Sequence, residues 1–429
     1  MRTWDKLINY RPGRLGYNTI LGTTGLGGRA IVQAAYLLIV SRWLGAEGYG
    51  LFAGSVALVT LATPLANWGS ALLLTEYVAQ DRCRSRGMWA TALVQTGVAG
   101  GVLTVGVLAL STLLLREQLP LGPLLLLAVS ELLLLPASHA ASSQCSALER
   151  GGAAALSVCL VPLGRTLAML GAIACSLAAT PELAALAHFS GTVLGFVAAI
   201  ALVAWVDGLP AWHERLPLHK AIREGTTYAI SSAAGTSYQE VDKTLMLQLL
   251  GAAAVGSYTV AFRITSMFVL PVAALINAAL PRLMAEDSSK NQHRTYRAML
   301  LAAVGYGMLA GAAILVAAPF VPQVFGTDYS EAITYLQLLS PWPVLFALRQ
   351  CMGTKLTAAG QQHARSIIDV VGLILVTTLN LILLPLMGAI SSILVLLITE
   401  IIAIIIFTLY EKYQFLNQRF KNNYHTKSN

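Results

Sequence analysis

Five basic residues lie inside segments that are predicted to cross a bilayer, which takes about 20 residues of helix. They are Arg29, Arg165, Lys243, Arg263 and Arg349. A cation at the centre of such a helix costs roughly 2.5 to 3.5 kcal/mol on the insertion scale, so it must face water, a carboxylate or an anionic ligand. The chemistry that this set indicates is the binding of an anionic group, and we assign all five to that role as candidates.

The position of each cation within its segment separates them. Arg29 is central in its segment, and Gln33 and Tyr36 follow at i+4 and i+7, so that one polar stripe runs along the predicted helix. Arg165 is also central and follows Pro162, which favours a local break that opens onto a cavity. We interpret these two arginines as functional.

For the other three cations, an interpretation without ligand binding stays open. Arg263 and Arg349 are each within about two turns of a predicted helix end, from which a long side chain can reach the interface. Lys243 follows Glu240 at i+3, so a self-neutralised pair is as good an interpretation as cavity lining. The carboxylates that could form ion pairs or carry a coupling ion are Glu131, Glu240, Asp242, Asp369 and Glu400.

The composition indicates that these residues belong to a membrane protein. Of the 429 residues, 56% are hydrophobic and 11% charged, whereas soluble domains have about 25% charged residues. Breaks at Gly, Pro and charged clusters predict twelve spans, which start near Tyr17, Gly48, Met88, Leu121, Ala153, Ala184, Thr226, Val255, Ala298, Ala332, Ser366 and Gly388. The basic N-terminus enters the first span directly, so we expect no cleaved signal peptide.

The placement of basic residues predicts the orientation. If both termini are cytoplasmic, 21 of the 28 Lys and Arg residues lie on the cytoplasmic side, five lie within spans, and two, Arg42 and Arg116, lie outside. This bias is the one expected from the positive-inside rule, and it supports an even number of spans. The multi-pass chain is therefore predicted to have both termini in the cytoplasm.

One polar connection in the middle of the chain divides the spans into two sets of six. The predicted parts are an N-terminal lobe over 1–206, a cytoplasmic linker over 207–224, a C-terminal lobe over 225–410 and a basic cytoplasmic tail over 411–429. Leu44 to Gly50 after the first span is echoed by Leu250 to Tyr258 after the seventh. We therefore predict an all-α polytopic fold with about twelve transmembrane helices, in two six-helix lobes related by pseudo-two-fold symmetry.

Motifs of several other functional classes do not occur in the sequence. The five cysteines are scattered without a CxxC pair, and we expect neither a metal site nor a cofactor. No triad or phosphate-binding Gly loop lies in a polar segment large enough for an active site, so we expect no catalysis. We attribute the net charge of +8 to basic residues that orient the chain in the membrane and bind an anion, and we expect no nucleic-acid partner.

Several motifs in order resemble the polysaccharide flippases, which transport O-antigen and exopolysaccharide repeat units and belong to the multidrug/oligosaccharidyl-lipid/polysaccharide exporter superfamily. The matching segments are Ser41 to Phe52, Asp242-Lys243 with Leu250-Gly251, Gly256 to Tyr258, Ala261 to Ile264, Ala279 to Leu283, Ala359 to Gln361 and Leu379-Asn380. Ser391 departs from the pattern, because relatives often have a glycine there. The resemblance covers most of the chain.

This resemblance implies alternating access to a cation-lined cavity that receives a polyprenyl-diphosphate-linked oligosaccharide. It further implies transport from the cytoplasmic to the periplasmic leaflet of a bacterial inner membrane, coupling to H⁺ or Na⁺, membrane lipid as a partner, and association with polysaccharide polymerase machinery. Three alternatives stay open. They are a drug or organic-cation exporter of the same superfamily, a peptidoglycan-precursor flippase and a membrane polysaccharide polymerase, which would more often have a long outer loop with Arg and His.

Overall fold

The computed structural model describes residues 14–114, 120–285 and 289–425. Within these ranges the backbone forms α-helices, one π-helical segment and short 3₁₀ turns, and no β-strand. The predicted all-α membrane fold is therefore confirmed. Arg116, in a predicted outer loop, and Lys427, in the predicted basic tail, lie outside the described residues.

The helices follow one another with short connections, as expected of a multi-pass protein. In chain order they are α1 (Arg14–Thr60), α2 (Thr63–Asn67), α3 (Ser70–Gln80), α4 (Ser85–Leu114), α5 (Leu121–Val129), α6 (Leu135–Ala147), α7 (Gly151–Ala174), α8 (Pro181–Asp207), α9 (Leu218–Leu250), α10 (Ala252–Ala285), α11 (Ser289–Ala317), α12 (Val321–Phe325), α13 (Glu331–Leu339), α14 (Trp342–Ala358), α15 (Gln362–Met387) and α16 (Ala389–His425). The π-helical segment, Ser130–Leu134, joins α5 directly to α6.

Nine helices in the described part of the chain are long and apolar enough to cross a membrane, against twelve predicted spans. The first two predicted spans share the long helix α1, which kinks where Gly45 leaves the helical region. The seventh corresponds to α9, whose charged residues lie toward both ends and lower its hydropathy. The tenth is divided between two shorter helices, α13 and α14. The difference in number thus arises from a kink, a polar helix and a broken helix.

The described residues belong to two compact units. The N-terminal unit contains the described residues within 1–44 and 58–233, and the C-terminal unit contains those within 45–57 and 234–429. Two helices, α1 and α9, therefore contribute residues to both units. The N-terminal unit packs α7 against α8 and α6, and the C-terminal unit packs α11 against α14 and α15 against α16.

The sequence echo identifies equivalent backbone turns. Gly45 kinks α1 with φ 68°, and Gly251 separates α9 from α10 with φ 89°. Both values lie in the left-handed region, which glycine enters without the steric cost that a Cβ atom adds. Within the C-terminal unit the two echoed segments also touch, since Gly50 lies against the carbonyl group of Ala252 and Gly256 lies against that of Ala46.

Candidate functional site

A buried carboxylate, that of Glu131, lies where the helical backbone between α5 and α6 changes from α-helical to π-helical geometry. Glu131 lies in the π-helical segment Ser130–Leu134, and its side chain is 5% exposed. The backbone carbonyl of Glu131 accepts a hydrogen bond from the Thr63 hydroxyl at 3.3 Å. π-Helical turns occur frequently at functional sites because they re-aim side chains at a cost to regular helix geometry. This segment directs Glu131 toward α7 and α8.

Arg165 reaches Glu131 from α7. Its Nη2 atom lies 2.6 Å from Glu131 Oε1, and its Nε donates to the Thr192 hydroxyl at 2.8 Å. The backbones of α7 and α8 meet at Gly164 and Gly191, where a Cβ atom on either glycine would overlap the other helix. Small residues permit such close helix contacts in membranes. The glycine contact brings Arg165 within reach of α8.

His188 contacts the same carboxylate oxygen from α8. Its Nε2 lies 2.8 Å from Glu131 Oε1, and its Nδ1 lies 2.7 Å from the hydroxyl of Tyr36 on α1. An ionised carboxylate can only accept hydrogen bonds, so in a neutral His188 the proton is on Nε2 and Tyr36 donates to Nδ1. Glu131 therefore holds together a network from α1, α7 and α8.

Arg29 differs from these residues, because in the described part of the chain it makes no hydrogen bond and no ion pair. It lies in α1 within electrostatic range of Arg165, Glu131 and Cys159. His139 on α6 is within range of the same arginines and of Glu131. We call Arg29, Arg165, Glu131 and His188 the Glu131 cluster. It contains two arginines and one carboxylate, and so it carries surplus positive charge when His188 is neutral.

The C-terminal unit contains a different arrangement around Lys243. The Lys243 side chain is 0% exposed, and its Nζ lies 3.1 Å from Asp242 Oδ1 and 3.6 Å from Glu240 Oε2. Arg263 on α10 places its Nη2 3.0 Å from Glu240 Oε1. Tyr258, also on α10, donates a hydrogen bond to Asp242. Two cations thus balance two carboxylates, and we call these four charged residues the Lys243 cluster.

A second balanced group joins α14, α15 and α16. Arg349 Nε donates to Glu400 Oε2 at 2.6 Å, and Arg349 Nη1 donates to Asp369 Oδ1 at 3.0 Å. Arg365 lies 3.9 Å from Asp369, and the Trp342 indole N–H donates to Glu400 at 3.2 Å. Arg349, Arg365, Asp369 and Glu400 form what we call the Arg349 cluster, in which the charges again balance.

The five predicted anion-binding cations are therefore found in three places. Arg29 and Arg165 come together near Glu131, whereas Lys243 and Arg263 belong to the Lys243 cluster and Arg349 has two carboxylate partners. Sequence reasoning missed four contributors: His188, Thr192, His139 and Arg365. A signal existed for His188, since it is an ionisable residue within the apolar helix α8 and such residues indicate functional sites by default.

Few of the described side chains are arranged in a way that could bind a metal ion or a cofactor. Among the residues that the structure describes, no group of three or more His, Cys, Asp and Glu side chains could hold a metal ion. All five cysteines are free, and Cys145 and Cys351 are buried. The chemistry available in the Glu131 cluster is electrostatic attraction and proton exchange between hydrogen-bonded groups.

Comparison with protein-family models gives two matches. The model described as polysaccharide biosynthesis protein matches residues 15–285, and the MatE model matches residues 228–382. A comparison with curated proteins finds no match.

Solved structures of similar fold cover nearly the whole chain. One is described as the inward-facing conformation of a multidrug resistance MATE family transporter of the MOP superfamily. It is 16% identical, covers 91% of this chain and 98% of its own, and has a TM-score of 0.70. The outward-facing conformation of such a transporter is 16% identical, with coverages of 92% and 95% and a TM-score of 0.64. A MOP superfamily transporter from Pyrococcus furiosus, described as having a binding pocket of reverse polarity that suggests a different function, is 15% identical, with coverages of 92% and 95% and a TM-score of 0.65.

Proposed function

The chain belongs to the polysaccharide biosynthesis protein family, and on that premise we propose that it is a flippase for a polyprenyl-diphosphate-linked oligosaccharide. The family and the MOP superfamily fold agree with the resemblance that the sequence motifs predicted. In this proposal the chain moves an O-antigen or exopolysaccharide repeat unit by alternating access from the cytoplasmic to the periplasmic leaflet of a bacterial inner membrane. Both termini are then cytoplasmic, and the polysaccharide polymerase is a downstream partner.

The observation that carries the proposal is the surplus positive charge of the Glu131 cluster. Arg29 has no ion pair among the described residues, while Arg165 shares Glu131 with His188. An unpaired cation in an apolar helix is costly, and an anionic ligand removes that cost. A diphosphate offers several oxygens with more than one negative charge, and guanidinium groups bind such oxygens with paired N–H donors. Arg29 and Arg165 are the proposed head-group ligands.

The main competing function is export of an organic cation, as the descriptions of similar multidrug transporters suggest. A cationic substrate favours a site with surplus negative charge. The Glu131 cluster contains two arginines and one carboxylate, so a cation entering it is repelled. The charge balance therefore favours an anionic substrate, and we do not propose drug export.

Coupling to an inward gradient of H⁺ or Na⁺ is part of the proposal, and Glu131 is the carboxylate we assign to it. The other predicted carboxylates all lie in the C-terminal unit, where each contacts at least one Lys or Arg. Glu131 likewise contacts an arginine, Arg165, but it also shares a hydrogen bond with His188, so that a second side chain able to carry a proton lies beside it. A proton that the Glu131–His188 pair takes up from one side of the membrane adds one positive charge to the site that faces the substrate, and its release to the other side removes that charge.

The test is genetic and chemical. The gene is deleted in its host, and lipid-linked oligosaccharide and surface polysaccharide are quantified. The wild type, Arg29→Ala, Arg165→Ala or Arg82→Ala is then restored at matched membrane levels. Arg82 is the control, because it forms an exposed ion pair with Glu149 outside the cluster, with side-chain exposures of 60% and 59%.

The proposal expects the lipid-linked unit to accumulate and surface polymer to disappear on deletion. Wild type and Arg82→Ala restore the polymer, and the two cluster variants do not. Unchanged polymer and intermediates after deletion, together with increased sensitivity to cationic drugs, would favour the organic-cation exporter. Full rescue by both cluster variants would remove Arg29 and Arg165 from the proposed site.

A further inference from the structure

Lys243 is among the largest fully buried side chains in the described part of the chain. Its ammonium group lies 3.1 Å from Asp242 Oδ1 and 3.6 Å from Glu240 Oε2, and it donates a hydrogen bond to the backbone carbonyl of Gln239. The Phe262 ring lies beneath it, with 3.8 Å between Nζ and the ring centroid. The ammonium is thus surrounded by two carboxylates, one carbonyl and one aromatic face.

This surrounding has the chemistry of a site for a monovalent cation. Carboxylate and carbonyl oxygens are hard ligands, and an aromatic face attracts a cation through its quadrupole. The charge balance among the neighbouring residues also calls for one cation at the site. Arg263 balances Glu240, and Tyr258 donates a neutral hydrogen bond to Asp242, so one negative charge is left for Lys243 to balance.

We infer that Lys243 is a built-in cation, which permanently fills a site that would otherwise bind a monovalent ion such as Na⁺. The tether of the lysine side chain gives its ammonium a high effective concentration beside Asp242, so free ions do not compete with it. The C-terminal unit then has a cation at this site in every ionic condition. Its carboxylates Glu240 and Asp242 are consequently unresponsive to an ion gradient.

The inference predicts that removal of the ammonium converts the site into an ion-binding one. Lys243→Met keeps most of the side-chain volume and leaves Asp242 without its cation, and burial of an unpaired charge is strongly destabilising. The purified wild type and variant are unfolded thermally in detergent at pH 8, in increasing NaCl or in choline chloride of the same ionic strength. The Tm of Lys243→Met should rise saturably by several degrees with Na⁺ and not with choline, since a ligand stabilises the state that binds it.

Two further variants separate this effect from general salt effects. Asp242→Asn combined with Lys243→Met removes both charges, and its Tm should be the same in the two salts. Lys355→Met disrupts the more exposed pair of Lys355 with Glu411, which has side-chain exposures of 43% and 29%, and it should also respond equally to both salts.

Either of two results would overturn the inference. One is a Lys243→Met variant that folds with the same Tm in NaCl and choline chloride. The other is a Lys243→Met variant that cannot be purified in either salt, although the variant that combines it with Asp242→Asn can be purified. That result would mean that the vacated site accepts no ion. Neither result depends on lipid-linked oligosaccharide, so the flippase proposal and this inference can fail separately.

Discussion

The two units both bury charge within apolar helices, but they balance it in different ways. In the C-terminal unit Lys243 and Arg263 face Asp242 and Glu240, and Arg349 contacts two carboxylates. In the N-terminal unit Arg165 and His188 converge on one oxygen of Glu131, and Arg29 has no ion pair in the described structure. The C-terminal clusters are electrically complete, whereas the Glu131 cluster has positive charge available.

This difference indicates what each set of charges contributes. A buried pair is costly to break, because the remaining partner keeps a desolvated charge. The C-terminal clusters therefore contribute mainly to the integrity of their own unit. A cation without a partner contributes little to folding, and its retention in an apolar helix is best explained by a ligand. Stability and ligand binding should thus respond oppositely to substitutions in the two units.

The largest effect on stability is expected from Arg349→Met. This substitution leaves Glu400, whose side chain is 0% exposed, without its strongest partner, and losing one member of a buried pair costs roughly 3 to 5 kcal/mol. Unfolding in detergent by denaturant measures the loss. Lys355→Met is the control, since breaking a partly exposed pair costs about 1 kcal/mol or less. Similar small losses for both variants would show that the Arg349 cluster does not stabilise its unit.

The largest effect on binding is expected from Arg29→Ala. One charged hydrogen bond contributes roughly 1.5 to 3 kcal/mol, so affinity for a polyprenyl diphosphate should fall about 10- to 150-fold. The unfolding free energy should change little, because Arg29 has no described partner to leave behind. Binding to purified protein in nanodiscs and denaturant unfolding are measured on the same preparation. A variant that loses stability while keeping affinity would reverse the assignment of the two units.

A smaller effect in the opposite direction is expected from Glu131→Gln. It removes the carboxylate charge while keeping a hydrogen-bonding side chain, so the cluster becomes more positive and binds the diphosphate more tightly. The gain should be about fivefold, because a unit charge ~10 Å away at an effective dielectric constant of ~20 contributes roughly 1 to 2 kcal/mol before salt screening. Glu182→Gln, at the exposed start of α8, is the control. Weaker binding by Glu131→Gln would mean that Glu131 acts mainly by orienting Arg165, and that this role outweighs its partial cancellation of the positive charge of Arg165.

Much of the fold could be predicted from composition and residue order. The low charged fraction predicted a helical membrane protein, and the Leu44-Gly45 and Leu250-Gly251 echo identified two turns that adopt left-handed backbone. The number of candidate spans was harder to predict. Whether Gly45 ends a helix or kinks one depends on the packing of the residues after it, which composition does not encode.

The Glu131 cluster could be predicted only in part, because the sequence shows which residues are anomalous and not which helices meet. Arg29 and Arg165 were identified as central cations, and the polar stripe on the first span included Tyr36. The ion pair of Arg165 with Glu131 depends on a π-helical turn and on the contact of Gly164 with Gly191. The π-helical turn has no local sequence signal, whereas the glycine contact does, because Gly191 and Gly195 form a GxxxG pattern that is typical of close helix contacts in membranes. The pairing of Arg349 with Glu400, separated by 51 residues, is likewise a product of tertiary packing.

The smallest effect in this comparison is expected at Cys159, which lies in α7 near Arg29 and is partly exposed. In a variant that retains Cys159 as its one cysteine, bound polyprenyl diphosphate should slow alkylation by a thiol reagent about two- to threefold, because a head group on Arg29 obstructs the thiol. A variant that retains only Cys83, exposed in the turn before α4, should react at an unchanged rate. If the ligand slowed Cys83 and left Cys159 unaffected, the anion would bind away from Arg29. The surplus charge of the N-terminal unit would then need a different explanation from a head-group site.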